Sequence, residues 1–328
     1  MRRPGLLTIA AFSAAASLLA CNQPFDPRGP LQRQLVVFSI LSTDRDVQLV
    51  RVEQNYMPPG FDAVSYSADN SITDALVTVS VAGTTYPLRD TTLPRSDTSR
   101  YKFPLQAYVL SPFRAAYGGS YQIRVQSPQL ALATASILVP MKPVLTIDVP
   151  SIPVVDEPST HQEDAGIFFP IALGNGTKGY IGRFFVDYVV LKGNEWVEER
   201  VEVPLRYQYY DIEDLNLVLY PGLTPTPLYS RSVGVYKNHM YSVTLVSVAY
   251  KKYLHSKIIF NRIVFQLVQV EQNLYNYYQV AHMSNDPHSM RLDEPMYTNL
   301  AAGVGLVGAY TLDSLVHLLP EDFAFNTQ

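Results

Sequence analysis

Residues 75–83, ALVTVSVAG, put Val77, Val79 and Val81 on one parity and Thr78 and Ser80 on the other. Successive side chains of an extended strand point to opposite faces, so this spacing describes a strand with one buried and one wet face. The pattern recurs. After the first strand-like segment, RQLVVFSILS (33–42), VQLVRVEQ (47–54) alternates Val50 and Val52 with Arg51 and Glu53. SYQIRV brings Tyr121, Ile123 and Val125 to one side, and TASILV does the same for Ala135, Ile137 and Val139. Strands that are apolar on one face bury it by packing sheet on sheet, and the spacing of turns predicts an immunoglobulin-like β-sandwich over residues 35–140. The chain has a single cysteine, so the sandwich lacks the paired cysteines of antibody domains and apolar packing alone must hold it.

PMKPVLTIDVPSIPVVDEPSTHQEDAG (140–166) breaks the composition with prolines and acidic residues. It reads as a linker over 141–166, with one short strand at Val144–Asp148. A second β-rich, sandwich-like domain is expected over 167–328. Within it, GRFFVDYVVLKGNEWVEERVEV (182–203) reads as a hairpin turning at Lys192-Gly193-Asn194, and RIVFQLVQV (262–270) as a buried strand. MYSVTLVSVAY (240–250) has Tyr241, Val243 and Leu245 on one parity and Val246, Val248 and Tyr250 on the other, which is expected to mark a strand with a bulge. EQNLYNYYQVAHM (271–283) changes period: Leu274, Tyr277, Tyr278 and Ala281 follow the i, i+3, i+4, i+7 stripe of an amphipathic helix. That is the one short helix expected near the C-terminus of a mainly β chain.

The N-terminus carries a different signal. MRRPGLLTIAAFSAAASLLAC starts with Arg2 and Arg3 and continues in an uncharged run from Leu6 to Ala20. These are the basic and apolar regions of a secretory signal over residues 1–20. The run is shorter than the roughly 20 apolar residues of a typical membrane-spanning helix. It ends in Leu18-Leu19-Ala20-Cys21, which resembles a bacterial lipobox, where the cysteine thiol is lipidated and becomes the new N-terminus. A sole cysteine at that place is better explained as an attachment point than as half of a disulfide. Residues 21–34 continue as a Pro-containing tether, reaching at most roughly 40 Å if fully extended. The expected partner of Cys21 is therefore the lipid bilayer.

Composition argues against one class of partner. Charged residues make up only 16% and the net charge is −4, with no long basic stripe, so nucleic acid is not an expected partner. Hydrophobic residues reach 47%, enough for a substantial core.

NLAAGVGLVGAYTLDSL (299–315) spaces Gly303, Gly305 and Gly308 as G-x-G-x-x-G. A dinucleotide fingerprint needs a strand before, a helix after, and a second strand with an acidic residue about twenty residues on. Only twenty residues follow Gly308, and nothing upstream alternates strand with helix. The glycines are therefore expected to serve a late strand or hairpin, by allowing a bend or close backbone approach, and no cofactor is expected.

EPMYTNLAAGVGLVGAY (294–310) resembles the C-terminal signature of the domain of unknown function 4249 family of lipoproteins. Pro295, Asn299, Gly303, Gly305, Gly308 and Tyr310 occupy the signature places, and Val307 stands where the family commonly has an aromatic. The lipobox cysteine, LVVFSILS, ALVTVSVAG, GGSYQIRV and QNLYNYYQ follow in the family's order, so the resemblance spans most of the chain after the signal. It implies an outer-membrane lipoprotein of Gram-negative bacteria rich in TonB-dependent transporters, with an N-terminal immunoglobulin-like domain and a second β-rich domain. It implies no catalytic residues.

The residues point to none either. There is no G-x-S-x-G, no H-E-x-x-H and no cysteine pair, and His161, His239, His255, His282, His288 and His317 are scattered. Asp211, Glu213 and Asp214 crowd hard oxygens into DIEDLN but lack the glycine and distal glutamate of a calcium loop, so no metal site is expected. RYQYYDIEDLNLVLYPGLTPTPLYS (206–230) gathers Tyr207, Tyr209, Tyr210, Tyr220 and Tyr229 beside prolines in a long connection. Tyrosine buries area while keeping a polar tip, so these rings are either a binding surface or packing at a sheet edge. The expectation is a non-enzymatic envelope lipoprotein, accessory to a β-barrel transport complex of the outer membrane. The alternative is a surface glycan- or peptide-binding protein using the tyrosine-rich loop. Which face of the outer membrane the body occupies is left open.

Overall fold

The computed structural model describes residues 29–58, 66–96, 98–99, 101–148, 166–208, 217–227, 232–252, 256–283 and 297–320. The signal segment, Cys21, Pro295 and the acidic loop at 211–214 lie outside the described residues. The chain is mainly β, of β-sandwich type.

The first eight strands are β1 (Leu35–Ser42), β2 (Gln48–Gln54), β3 (Leu76–Val81), β4 (Thr84–Pro87), β5 (Arg89–Leu93), β6 (Leu105–Leu110), β7 (Ser120–Gln126) and β8 (Ala133–Leu138). They form two layers, ordered β1-β2-β6-β5 and β4-β3-β7-β8. That is the ABED and C′CFG arrangement of immunoglobulin-like sandwiches. The alternation in the sequence sets the inner faces: Val50 and Val52 meet Val77, Val79, Tyr121, Ile123, Val125, Ala135 and Ile137 in one core. Tyr121 begins β7, and its hydroxyl accepts the Ala116 N–H at 2.7 Å, tying the preceding loop down as a tyrosine corner does.

The later strands are β9 (Val144–Leu145), β10 (Gly166–Ala172), β11 (Gly179–Lys192), β12 (Glu195–Val203), β13 (Arg206–Gln208), β14 (Leu217–Leu219), β15 (Thr224–Pro225), β16 (Ser232–Lys237), β17 (Ile258–Val270) and β18 (Gly303–Leu318). β11 and β12 form the expected hairpin, with Lys192 opposite Glu195 across Gly193-Asn194. Gly193 takes a φ of 62°, which the tight turn requires. β17 pairs with β11, and the register slips by one residue between Asp187 and Tyr188. The slip keeps Ile258 and Phe260 on the same buried face as Ile263, Phe265 and Leu267.

Two features differ from the sequence reading. MYSVTLVSVAY is not a bulged strand. Residues Asn238–Val246 form an α-helix, α1, continued by a π-helical turn over Ser247–Lys252. Tyr241, Thr244, Leu245, Val248 and Ala249 are buried at i, i+3, i+4, i+7 and i+8. The change of parity was the helical period seen through a two-residue window. α1 closes the second core together with the short sheet β16-β10-β9, over Phe169, Phe184, Tyr236 and Phe265. The expected C-terminal helix is present as α2 (Gln272–Met283).

The second difference concerns the last strand. β18 does not belong to the second half alone. Its first part, Gly303–Tyr310, runs parallel to β1, while Tyr310–Leu318 runs antiparallel to β17. The sheet is therefore continuous, in the order β12-β11-β17-β18-β1-β2-β6-β5. Val307 and Ala309 pack with Leu300 into the first core, whereas Leu315 packs against the second.

The two halves are also fastened by a buried polar knot. Gln269 is fully buried, and its Oε1 accepts the Gly174 N–H at 2.7 Å and the Thr177 hydroxyl at 2.9 Å. Its Nε2 donates to Met141 O at 3.2 Å and Thr311 Oγ1 at 2.9 Å. Every hydrogen-bonding site of the amide is used.

Candidate functional site

The glycine-rich stretch turns out to be backbone architecture. Gly305 has a φ of +117°, and a Cβ built there would lie 2.2 Å from the Val37 carbonyl oxygen across the parallel ladder. Only glycine fits. A Cβ on Gly308 would lie 3.0 Å from Leu274 Cβ, so Gly308 lets α2 lie down on β18. Asn299 brackets Val307: its Nδ2 donates to Val307 O at 2.7 Å and its Oδ1 accepts Val307 N–H at 3.0 Å. The side chain acts as one more rung at the sheet margin.

α2 is held at its N-terminus by Glu271. Its Oε1 accepts Leu274 N–H at 2.8 Å and its Oε2 accepts Asn273 N–H at 2.7 Å, satisfying donors that a helix start leaves open. Burial nevertheless pushes the Glu271 carboxyl above its usual range. Tyr297 donates to Asn273 Oδ1 at 2.7 Å, and Phe38 meets Tyr277 edge-on at 6.4 Å between centroids. Leu274, Tyr277 and Tyr278 are only partly covered, so the helical stripe is half an interface.

α2 thus covers the outer face of β18, with Tyr277 reaching over to Phe38 of β1. Beside it lies an open groove of about 440 Å³. Phe38, Ile40, Leu49 and Ala107 floor it, Tyr277 and Leu306 wall it on the helix side, and Arg45, Arg51 and Tyr310 supply its polar groups. Burial raises the Tyr310 hydroxyl's pKa, with Asp44 reinforcing the shift. The one member of the glycine signature that lines it is Tyr310.

A second constellation, which the sequence reading did not single out, sits on β11 and β12. Asp187 accepts Arg200 Nε at 2.5 Å and Nη2 at 2.9 Å, and Arg262 Nε at 2.7 Å. Burial pushes the Asp187 carboxyl up, but the two guanidiniums outweigh it and hold the pKa below the usual value. Arg183 and Arg200 lie over the Phe185 ring at 4.9 and 5.3 Å. On the neighbouring rung, Glu199 takes Lys192 Nζ at 2.6 Å, Lys252 Nζ at 2.8 Å and the Tyr188 hydroxyl at 2.8 Å. A small cavity of about 210 Å³ opens between these groups. Each carboxylate is matched by cations, so the array stiffens the sheet rather than presenting a free acid or base. Its signal was in the sequence: a two-residue turn at Gly193-Asn194 pairs residues 187 with 200 and 188 with 199.

Of the tyrosines singled out, Tyr220 is 53% exposed. Tyr207 lies on β13, opposite Val218. Tyr209, Tyr210 and Tyr229 lie outside the described residues. No group of three or more His, Cys, Asp or Glu side chains among the described residues could hold a metal ion. No helix among the described residues is long and apolar enough to cross a membrane, which says nothing of strands. No protein-family model matches the chain, and a search of curated proteins finds no match either.

Proposed function

We propose that this protein is a lipid-anchored, non-enzymatic protein of the Gram-negative outer membrane, working as an accessory or binding partner of a TonB-dependent type β-barrel transport complex. The observation that carries the reading is Cys21: the only cysteine of the chain, at the end of a signal-like apolar run and ahead of a proline-containing tether. Several acyl chains, each contributing about 0.8 kcal/mol per buried CH₂, make such an anchor stable. The resemblance of residues 294–310 to a lipoprotein signature supports the same reading. The continuous sheet adds a rigid face on which a partner can rest.

Purification from membranes in mild detergent should recover a β-barrel protein with this one, and recovery of the lipoprotein alone overturns the partnership. Cys21→Ala should abolish metabolic labelling with palmitate and shift the protein to the aqueous phase of a detergent split. Retained labelling sinks the anchor. A second reading, a surface glycan- or peptide-binding protein, is favoured by the exposed Tyr220 ring. Binding on a glycan array that disappears in Tyr209→Ala/Tyr210→Ala would select it.

A further inference from the structure

The groove beside α2 is more apolar than its place in the fold requires. Ile40 and Leu49 stand on central strands of the large sheet, yet they are 45% and 36% exposed. Their neighbour Phe38 is half-covered by the edge of Tyr277. A volume of about 440 Å³ suits a small ligand, since such sites run to roughly 300–1,000 Å³.

The floor discriminates between kinds of ligand. β1 is hydrogen-bonded to β18 on one side and β2 on the other, and β2 to β1 and β6. The ladders cover Leu35–Ser39 of β1 against β2 and Gln48–Val50 of β2 against β6, so the paired part of the floor under Phe38 and Leu49 has little main chain left to offer. A peptide laid in the groove would press its own amides against Phe38, Ile40 and Leu49 without partners, which is costly. An alkyl chain has no such groups.

An arginine stands at each end, Arg51 ion-paired with Glu53 and Arg45 beside Asp44. Arg51 stands opposite Phe38 in the sheet register. One of its terminal nitrogens donates to Glu53, while its Nε is buried and has no hydrogen-bond partner among the described residues. At the other end Arg45 is largely exposed, with its Nε 3.8 Å from the nearest Asp44 oxygen, beyond hydrogen-bond reach. Between the level of Phe38 and that of Ser42 the groove runs roughly 13 Å along β1, at about 3.3 Å per residue.

We propose that this groove binds a free long-chain fatty acid, with the alkyl chain over Phe38, Ile40 and Leu49 and the carboxylate accepting a hydrogen bond from Arg51. The assignment does not depend on the transport partnership, and it fails or stands separately. The test uses the full chain carrying Cys21→Ala, so that no acyl group of the protein's own competes for the groove. 11-(Dansylamino)undecanoate is titrated by fluorescence and then displaced by palmitate or by hexadecanol. The expected result is saturable binding and displacement by palmitate at least tenfold better than by the uncharged alcohol. Ile40→Glu, at an exposed position, should weaken binding tenfold or more without changing the thermal melt. Arg51→Met should erase the preference for palmitate over hexadecanol while leaving the alcohol's own displacement unchanged. Binding undiminished in both variants, or equal displacement by the two competitors in the parent, overturns the proposal. So does Ile40-dependent binding to phosphatidylglycerol vesicles with no response to palmitate, which would make the groove a membrane-facing surface.

Discussion

The two halves share one strand and differ in how their cores treat polar groups. The first core is built from valine, isoleucine and alanine on alternating positions, and the tyrosines that enter it are satisfied: Tyr108 donates to Ile72 O at 2.9 Å and accepts Ala75 N–H at 3.0 Å. The second core is aromatic. Phe169 stacks on Phe265 with centroids 4.3 Å apart, and Phe184 lies between Tyr236 and Tyr241. The Asp187 pairs lie on its outer face, and Glu199, opposite Tyr188 in the register, ties the rim of the core to Lys192 and Lys252. A sandwich of small alternating side chains tolerates a simple pattern. Large rings need helices, bulges and capped edges to close around them, and each of these disturbs the pattern.

The largest effect should come from removing residues 294–328. This deletes the strand at the centre of the continuous sheet and takes Val307 and Ala309 from one core and Leu315 from the other. Several buried side chains at about 1.5–3 kcal/mol each approach the whole stability of a typical domain, about 5–15 kcal/mol. Circular dichroism should show no cooperative melt. If residues 35–140 still melt cooperatively, the halves are less interdependent than the shared strand implies.

Gly305→Val is expected next, at about 4 kcal/mol or more, because the new Cβ meets main-chain atoms of β1 that cannot move aside. A variant that melts like the parent would reopen a ligand role for the glycines. Gln269→Leu keeps the volume but leaves the Gly174 N–H and the Met141 carbonyl without their partner, at about 2–4 kcal/mol. A single transition that moves as a whole would show that the knot joins the halves; a split transition would show that the knot alone keeps them together.

How much of this was legible follows the same division. Val77, Val79, Tyr121, Ile123 and Val125 could be placed from parity alone, because β3 and β7 each use one face for the core and one for solvent. Tyr241–Ala249 could not, since residues spaced i, i+3 and i+4 also look like a strand that changes phase. Phe38 and Ile40 alternate with the buried Val37, Ser39 and Leu41, a signal of an apolar outer face on β1 that the sequence reading did not take up, and α2 covers only part of that face. Gln269 was invisible because its partners come from residues 141, 174, 177 and 311, which no local pattern connects.

Asp187→Asn should cost about 1–2 kcal/mol at neutral pH, the buried-pair loss being reduced because Arg200 and Arg262 are themselves part-exposed and can be hydrated. The sign with pH is fixed by the depressed carboxyl. A group whose folded pKa lies below its unfolded value contributes stability above the unfolded pKa and loses it as pH falls through the folded one. The gap between parent and variant should therefore close on acidification below the ordinary carboxylate range. A gap that is constant with pH would mean that the array holds the sheet by shape rather than by charge.

The smallest effects give the sharpest contrast between the cores. Tyr121→Phe in the first half and Tyr241→Phe in the second both remove one hydroxyl and leave the ring, so packing is unchanged in each. Tyr121 loses the acceptor of the Ala116 N–H, and a lost hydrogen bond with a part-buried donor left behind costs about 1 kcal/mol. The Tyr241 hydroxyl is buried with no hydrogen-bond partner among the described residues, and burial alone drives its pKa up. Removing an unpaired buried hydroxyl relieves its desolvation cost, so Tyr241→Phe should be neutral or stabilising by up to about 1 kcal/mol. Urea denaturation decides it: the midpoint should fall for Tyr121→Phe and hold or rise for Tyr241→Phe, with the slope unchanged in both. Equal losses at the two sites would mean that a bound water satisfies Tyr241, and that the second core meets its polar demands as fully as the first.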